Sequence, residues 1–328
     1  MSDPVEPLKR PGTMPKRRTV DRLYVAARRH GPTAPIWRKR AAIFTGAILL
    51  GLIALLFAHA ADWANGVFLT LYRKWRWSPL ILTPLGFMLL VWLTRRIAPD
   101  ARGSGIPQIM AARHDPDGAM RSLASARTAI VKFGMTISAL LLGASVGREG
   151  PTVQISATIM AYAHRWFRVP VTASVMVAGG AAGVAAAFNT PLAGVTFAIE
   201  ELASAYEQKM TLLVMTAVLI SGMVSLGLAG DYVYFGAMTE VLTVRQALTL
   251  VPVAGVLGGL AGGLFSKLML VFATSDMPFL SAIRRRPVTV AAVAGIVVAL
   301  LGCVTGMTWG TSYDPARLII TGSSAPWW

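Results

Sequence analysis

Apolar runs long enough to cross a bilayer alternate with short polar breaks along most of this chain. Residues 41–61 are uncharged and mostly apolar, close to the roughly 20 residues a spanning helix needs. Arg73-Lys74-Trp75-Arg76-Trp77 then reads as an interfacial belt, residues 79–94 as the return span, and Arg95-Arg96 as its cytoplasmic anchor. Residues 123–142 form the next hydrophobic segment, interrupted by Arg127 and Lys132, and a helix is expected over 151–166. The Ala- and Gly-rich run 172–188 is broken by Asn189-Thr190-Pro191, which starts a helix ending in Glu200-Glu201. Further spans are expected over 210–228, 251–272 and, after Arg284-Arg285-Arg286, 288–306; residues 311–328 form no complete element. Within 251–272, Gly255, Gly259 and Gly263, with Gly258 and Gly262 beside them, have the spacing that lets helix backbones approach closely. The pattern predicts an all-α, polytopic membrane protein.

Two of the breaks carry chemistry. In Gly103-Ser104-Gly105-Ile106-Pro107, Ser104 is placed like an N-cap and Pro107 is tolerated in a first helical turn. In residues 143–154, Arg148 and Glu149 stand side by side at membrane depth, followed at once by Gly150 and Pro151, as at a helix start. Irregular polar backbone inside a bilayer persists only where it lines a cavity or is buried in protein, so both stretches are candidate sites. Helices broken at membrane depth turn their N-termini, each worth about half a positive charge, toward bound anions.

Composition agrees with this picture. The 328 residues are 55% hydrophobic and only 14% charged, against about 25% charged in a soluble domain. The net charge of +16 is concentrated in residues 1–40, which hold eleven basic residues and three acids. That segment is Pro- and Arg-rich without an apolar run. It reads as a disordered cytoplasmic tail that touches anionic lipid, ahead of a membrane domain over 41–328. No aromatic interleaving supports nucleic-acid binding. The single cysteine, Cys303, excludes an internal disulfide or a cysteine metal site and reads as a small core residue. His114 and His164 look interfacial and suggest no metal. A zinc pattern, a phosphate loop and a nucleophile with its base are all missing from the motifs, so the chain is not read as an enzyme, and no cofactor is expected. Lys132, costly in an apolar segment, either raises the positive potential along an anion path or snorkels to an interface.

With those residues in hand, the sequence resembles the CLC family of chloride channels and chloride/proton antiporters. Gly103 to Pro107 matches one filter motif of the family, and Gly147-Arg148-Glu149-Gly150-Pro151 matches a second. The run from Ala181 to Glu201 resembles the family segment that ends in paired glutamates. The resemblance implies two inverted halves of tilted and broken helices, a homodimer in a lipid bilayer, and one pathway per subunit for chloride and protons. It also implies a bacterial inner membrane with the N-terminus cytoplasmic. The family's third filter motif, Gly-x-Phe-x-Pro, and its later tyrosine have no counterpart in the sequence, so the second repeat reads as incomplete and the chain as C-terminally truncated.

Carried over residue by residue, the resemblance makes Ser104 an anion ligand, Glu149 the external gate and proton carrier, and Glu201 the internal proton-transfer group. Bland readings stand beside them: Ser104 as an ordinary N-cap, Arg148 and Glu149 as a polar pair, and Glu200 and Glu201 as a solvated turn. The expected function is proton-coupled chloride antiport. The alternatives are a passive chloride channel of the same fold and a non-transporting fragment.

Overall fold

A computed structural model describes residues 35–112, 114–202, 208–230, 242–275 and 277–320. The regular elements among them are helices, apart from one isolated bridge between Ser145 and Gly310. Most of the basic tail lies outside the described residues, and residues 36–40, read with that tail, lie in the first turns of a helix.

The first helix, α1 (Ile36–Lys74), has 39 residues, about 58 Å at 1.5 Å per residue. It runs well past the expected end at residue 61 and carries Asp62 and Asn65 along its length. Such a helix must tilt or project beyond a hydrocarbon layer roughly 30 Å thick. The tryptophan–arginine belt follows as a turn, and α2 (Pro79–Ile97) leads back. A 3₁₀ turn, Pro99–Ala101, then gives way to α3 (Ile106–Ala112) and the short α4 (Pro116–Ala119). Ser125 caps α5 (Ala126–Leu141) by accepting from the Thr128 N–H.

The centre of the fold is a set of close helix crossings made by small residues. α6 (Glu149–Trp166) lies against α7 (Ala173–Phe188), where Gly179 faces Ala157 and Met160, and Gly183 faces Ser156. A Cβ at Gly183 would stand 2.5 Å from the Ser156 hydroxyl, so the crossing admits no larger residue there. Asn189 ends α7 in the left-handed conformation and Pro191 opens α8 (Pro191–Phe197), which widens into a π turn, Ala198–Leu202. α9 (Gln208–Ala229) is tied to α7 by hydroxyls: Ser221 donates to the Ala182 carbonyl at 2.8 Å and Ser225 to that of Ala186 at 3.0 Å.

Three helices follow: α10 (Val244–Thr274), α11 (Pro278–Arg285) and α12 (Pro287–Thr305). α12 packs on α2, with Gly295 set against Pro84. The glycine spacing in α10 has a different outcome from the one expected. None of its residues is buried, and apart from chain neighbours and the helix's own backbone no described atom comes within 4 Å of a Cβ built on Gly255, Gly258, Gly259, Gly262 or Gly263. The spacing creates a surface that permits close approach, but no described helix takes it up. The expectation of no element after residue 311 is also corrected: Tyr313–Ile320 forms α13, and residues 321–328 lie outside the described residues. Among the described residues, five helices are long and apolar enough to cross a membrane: Ile36–Lys74, Pro79–Ile97, Leu212–Ala229, Val244–Thr274 and Pro287–Thr305.

Candidate functional site

The two polar breaks meet in space. Gly103 and Gly105 have φ of 79° and 121°, a backbone course that L side chains rarely adopt, and they bend the chain from the 3₁₀ turn into α3. Gly105 takes the cap position: its carbonyl accepts the first helical bond from the Ile109 N–H at 3.2 Å. Its own N–H donates to Gln108 Oε1 at 2.9 Å, while Gln108 Nε2 donates to the Arg102 carbonyl at 2.7 Å. Gln108 therefore closes the loop from the helix side, and the capping bond expected of the Ser104 side chain is not made among the described residues. The Ser104 hydroxyl makes no hydrogen bond among the described residues and is exposed.

The second break turns at Gly143, whose φ of 78° sets it under the Phe68 ring. The strand-like stretch after it is held by hydrogen bonds to a distant loop: Gly310 N–H donates to the Ala144 carbonyl and Val146 N–H to that of Gly310, both at 3.1 Å. Arg148 is buried. Its guanidinium Nη1 donates to Asp62 Oδ1 at 2.8 Å and to the Ala58 carbonyl at 3.0 Å, both on α1. α6 then begins at Glu149, two residues before the expected start at Pro151.

Where the breaks meet, contact is between glycines and small groups. A Cβ on Gly150 would collide with the Ser104 hydroxyl and lie 2.8 Å from the Ser104 carbonyl oxygen. A Cβ on Gly105 would run into the Gly150 carbonyl. Glu149 folds back so that its Oε2 lies 2.6 Å from where a Gly147 Cβ would stand. Glycine at 105, 147 and 150 is what allows a hydroxyl, a carboxylate and a helix start to share one small space.

Lys132 backs this arrangement. Only 3% exposed, it donates from Nζ to the carbonyls of Ala101 at 2.7 Å and Gly103 at 2.6 Å. Of the two readings of this residue, snorkelling is excluded by that geometry. The ammonium is spent on the loop that carries Ser104, and its charge faces the same cavity. That cavity, of about 1060 Å³, is lined by Gly103, Ser104, Lys132, Gly147, Glu149 and Gly150 together with Pro151. Arg95, Arg102 and Arg284 stand on its walls, and Glu149 is the sole acid among its described lining residues. An open space with four cations, one carboxylate and the first turn of an 18-residue helix favours a small anion.

The structure thus brings Ser104, Glu149 and their flanking glycines together. Gly105, Ile106, Pro107 and Arg148 support them from outside the cavity wall. Glu201 stands elsewhere, exposed on the π turn beside Glu200. Sequence reading passed over Gln108, whose signal is a glutamine three residues after a glycine at a helix start. It also passed over Asp62, a carboxylate inside an apolar run.

Fold and site together define a multi-pass membrane protein in which broken helices meet at a polar cavity. The chain belongs to the voltage gated chloride channel family, whose model matches residues 86–328. It is 30% identical over 295 residues to the H(+)/Cl(-) exchange transporter ClcA of Yersinia pseudotuberculosis, covering 84% of this chain and 59% of that protein. It is 35% identical over 242 residues to the protein of the same name from Vibrio cholerae, covering 68% and 49%. The chain spans about half the length of the curated relatives it matches. Among solved structures it is similar to a slow cyanobacterial Cl−/H+ antiporter (TM-score 0.63, 22% identity, 88% of this chain and 74% of that one). It is also similar to a CLC-type fluoride/proton antiporter (TM-score 0.65, 21% identity, 81% and 65%). These two likenesses concern the fold.

Proposed function

We propose that the chain carries the gate and part of the anion site of a chloride transporter that exchanges chloride for protons. The observation behind this reading is that the Glu149 carboxylate, in the first turn of α6, shares one cavity with the exposed Ser104 hydroxyl and the buried Lys132. A carboxylate there occupies the kind of position a chloride ion would take, so the two anions compete. Protonation removes the charge of Glu149 and with it the attraction to the helix start. The neutral side chain leaves, chloride enters, and the proton travels with the side chain. One residue thereby links the two ions.

The same reading makes Glu201 the inner proton group, on the π turn that follows α8, and makes the assembly a homodimer in a bacterial inner membrane with a cytoplasmic N-terminus. The names of the relatives support exchange over passive conduction. The test is a flux assay in proteoliposomes: exchange requires the chloride reversal potential to move when a pH gradient is imposed. A potential fixed by chloride alone would instead identify a passive channel, and no chloride flux at all would overturn the transport reading for this chain.

A further inference from the structure

A second cavity, of about 650 Å³, lies where α1 begins, α6 ends and α7 begins. Its polar lining is Lys39, Arg40, His164, Thr172, Ser174 and Thr216, with no acid among the described lining residues. Ile43, Phe44 and Leu212 form the apolar wall. Thr172, exposed and extended ahead of α7, makes no capping bond with its side chain, so the start of this 16-residue helix lacks a side-chain acceptor. His164 is 1% exposed; its Nδ1 is engaged with the Met160 carbonyl at 2.8 Å, which leaves Nε2 as the ring's polar atom for the cavity. Lys39 and Arg40 are exposed and form no ion pair among the described residues. A neighbouring cavity, sharing Val169 and Pro170, adds Arg165 and Arg168 together with one acid, Asp117. Trp37 and Trp166, exposed at 62% and 76%, flank this end of the molecule, as tryptophans do at a membrane surface.

We propose that this cavity binds an anionic phospholipid. The phosphate sits between Lys39, Arg40 and the α7 start, with Thr172 and Ser174 as hydroxyl partners. One acyl chain runs along Ile43, Phe44 and Leu212. Charge selects this occupant over the chain's own N-terminal segment: residues 1–34 hold eight basic residues and three acids, the same sign as the site. The site is independent of the transport reading, because none of these residues lines the Glu149 cavity.

The experiment uses the full chain in vesicles and reads quenching of its tryptophan fluorescence by brominated lipids. Brominated phosphatidylglycerol should quench selectively over brominated phosphatidylcholine. Near-surface cations contribute about fivefold each, so the Lys39→Gln/Arg40→Gln variant should lose most of a preference of about twenty-fivefold. Arg285→Gln/Arg286→Gln, which removes two cations from another exposed stretch, should keep it. Inorganic phosphate at millimolar concentration should not displace the lipid, since it lacks the acyl chain. Equal quenching by both lipids, equal losses in the two variants, or full displacement by phosphate would each overturn the proposal. So would loss of the preference on deleting residues 1–34 while Lys39 and Arg40 remain.

Discussion

Arg148 and Asp62 form an ion pair at 2.8 Å that fastens the start of α6 to the middle of α1. Arg148 is buried while the Asp62 side chain is 66% exposed, so the pair lies at the edge of the protein. Water near Asp62 weakens the attraction, and burial of Arg148 raises the cost of losing it. Asp62→Asn should therefore destabilise the chain by about 1–2 kcal/mol, between the values for exposed and buried pairs. Thermal unfolding in detergent would read this as a drop of a few degrees. An unchanged midpoint would mean that the other partners of Arg148, the Ala58 carbonyl among them, suffice to hold the guanidinium.

Glu149→Ala should abolish the response of the chloride reversal potential to a pH gradient while chloride flux persists. Glu149→Gln, an uncharged isostere, should behave the same way. In the unsubstituted protein, chloride flux should rise as pH falls, because protonation removes the competing carboxylate. In either variant that dependence should flatten. Proton coupling that survives Glu149→Ala would remove this residue from the gate.

Gly147→Ala tests the gate from the other side. Its new methyl would meet the end of the Glu149 side chain, a flexible group that can yield. Folding should survive, and the displaced carboxylate should raise chloride flux at neutral pH. Gly150→Ala has no such escape, because its methyl would strike Ser104, including backbone. That substitution should cost about 1–3 kcal/mol of stability and appear in unfolding as well as in flux.

Lys132→Met removes the donor shared by Ala101 and Gly103. Two carbonyls lose a charged partner, a loss of about 1–3 kcal/mol, and the cavity loses a buried positive charge. Chloride flux should fall by about tenfold or more at low chloride. Hydrogen exchange should rise in residues 101–105. A drop in flux with unchanged exchange would leave Lys132 an electrostatic role without a structural one.

Much of the fold is legible in hydropathy because a bilayer leaves a chain little choice but helices. Run lengths and Gly, Pro and Asn breaks therefore foretell α2, α5, α7 and α12 within a few residues. The uncharged run ends at residue 61, whereas α1 continues through Asp62 and Asn65 to Lys74. What keeps Asp62 in the helix is Arg148, more than 80 residues away, and no local pattern carries that information. The glycines of α10 show the converse: local spacing announces a contact that the described residues do not make. At the site, Ser104 and Glu149 stand out because polar groups between apolar runs need a reason. Gln108 does not, since its work depends on the positive φ of Gly103 and Gly105.

The paired hydrogen bonds between Gly310 and residues 144–146 carry a consequence for biosynthesis. The loop that leads into Glu149 takes part of its shape from a segment translated more than 160 residues later. A ribosome that has released α6 into the membrane has not yet produced the partner that fixes the approach to it. Residues 144–146 therefore take their final course only after Gly310 is made, and a nascent chain stalled before Gly310 should lack the two hydrogen bonds that hold them, while Arg148 already ties the start of α6 to α1.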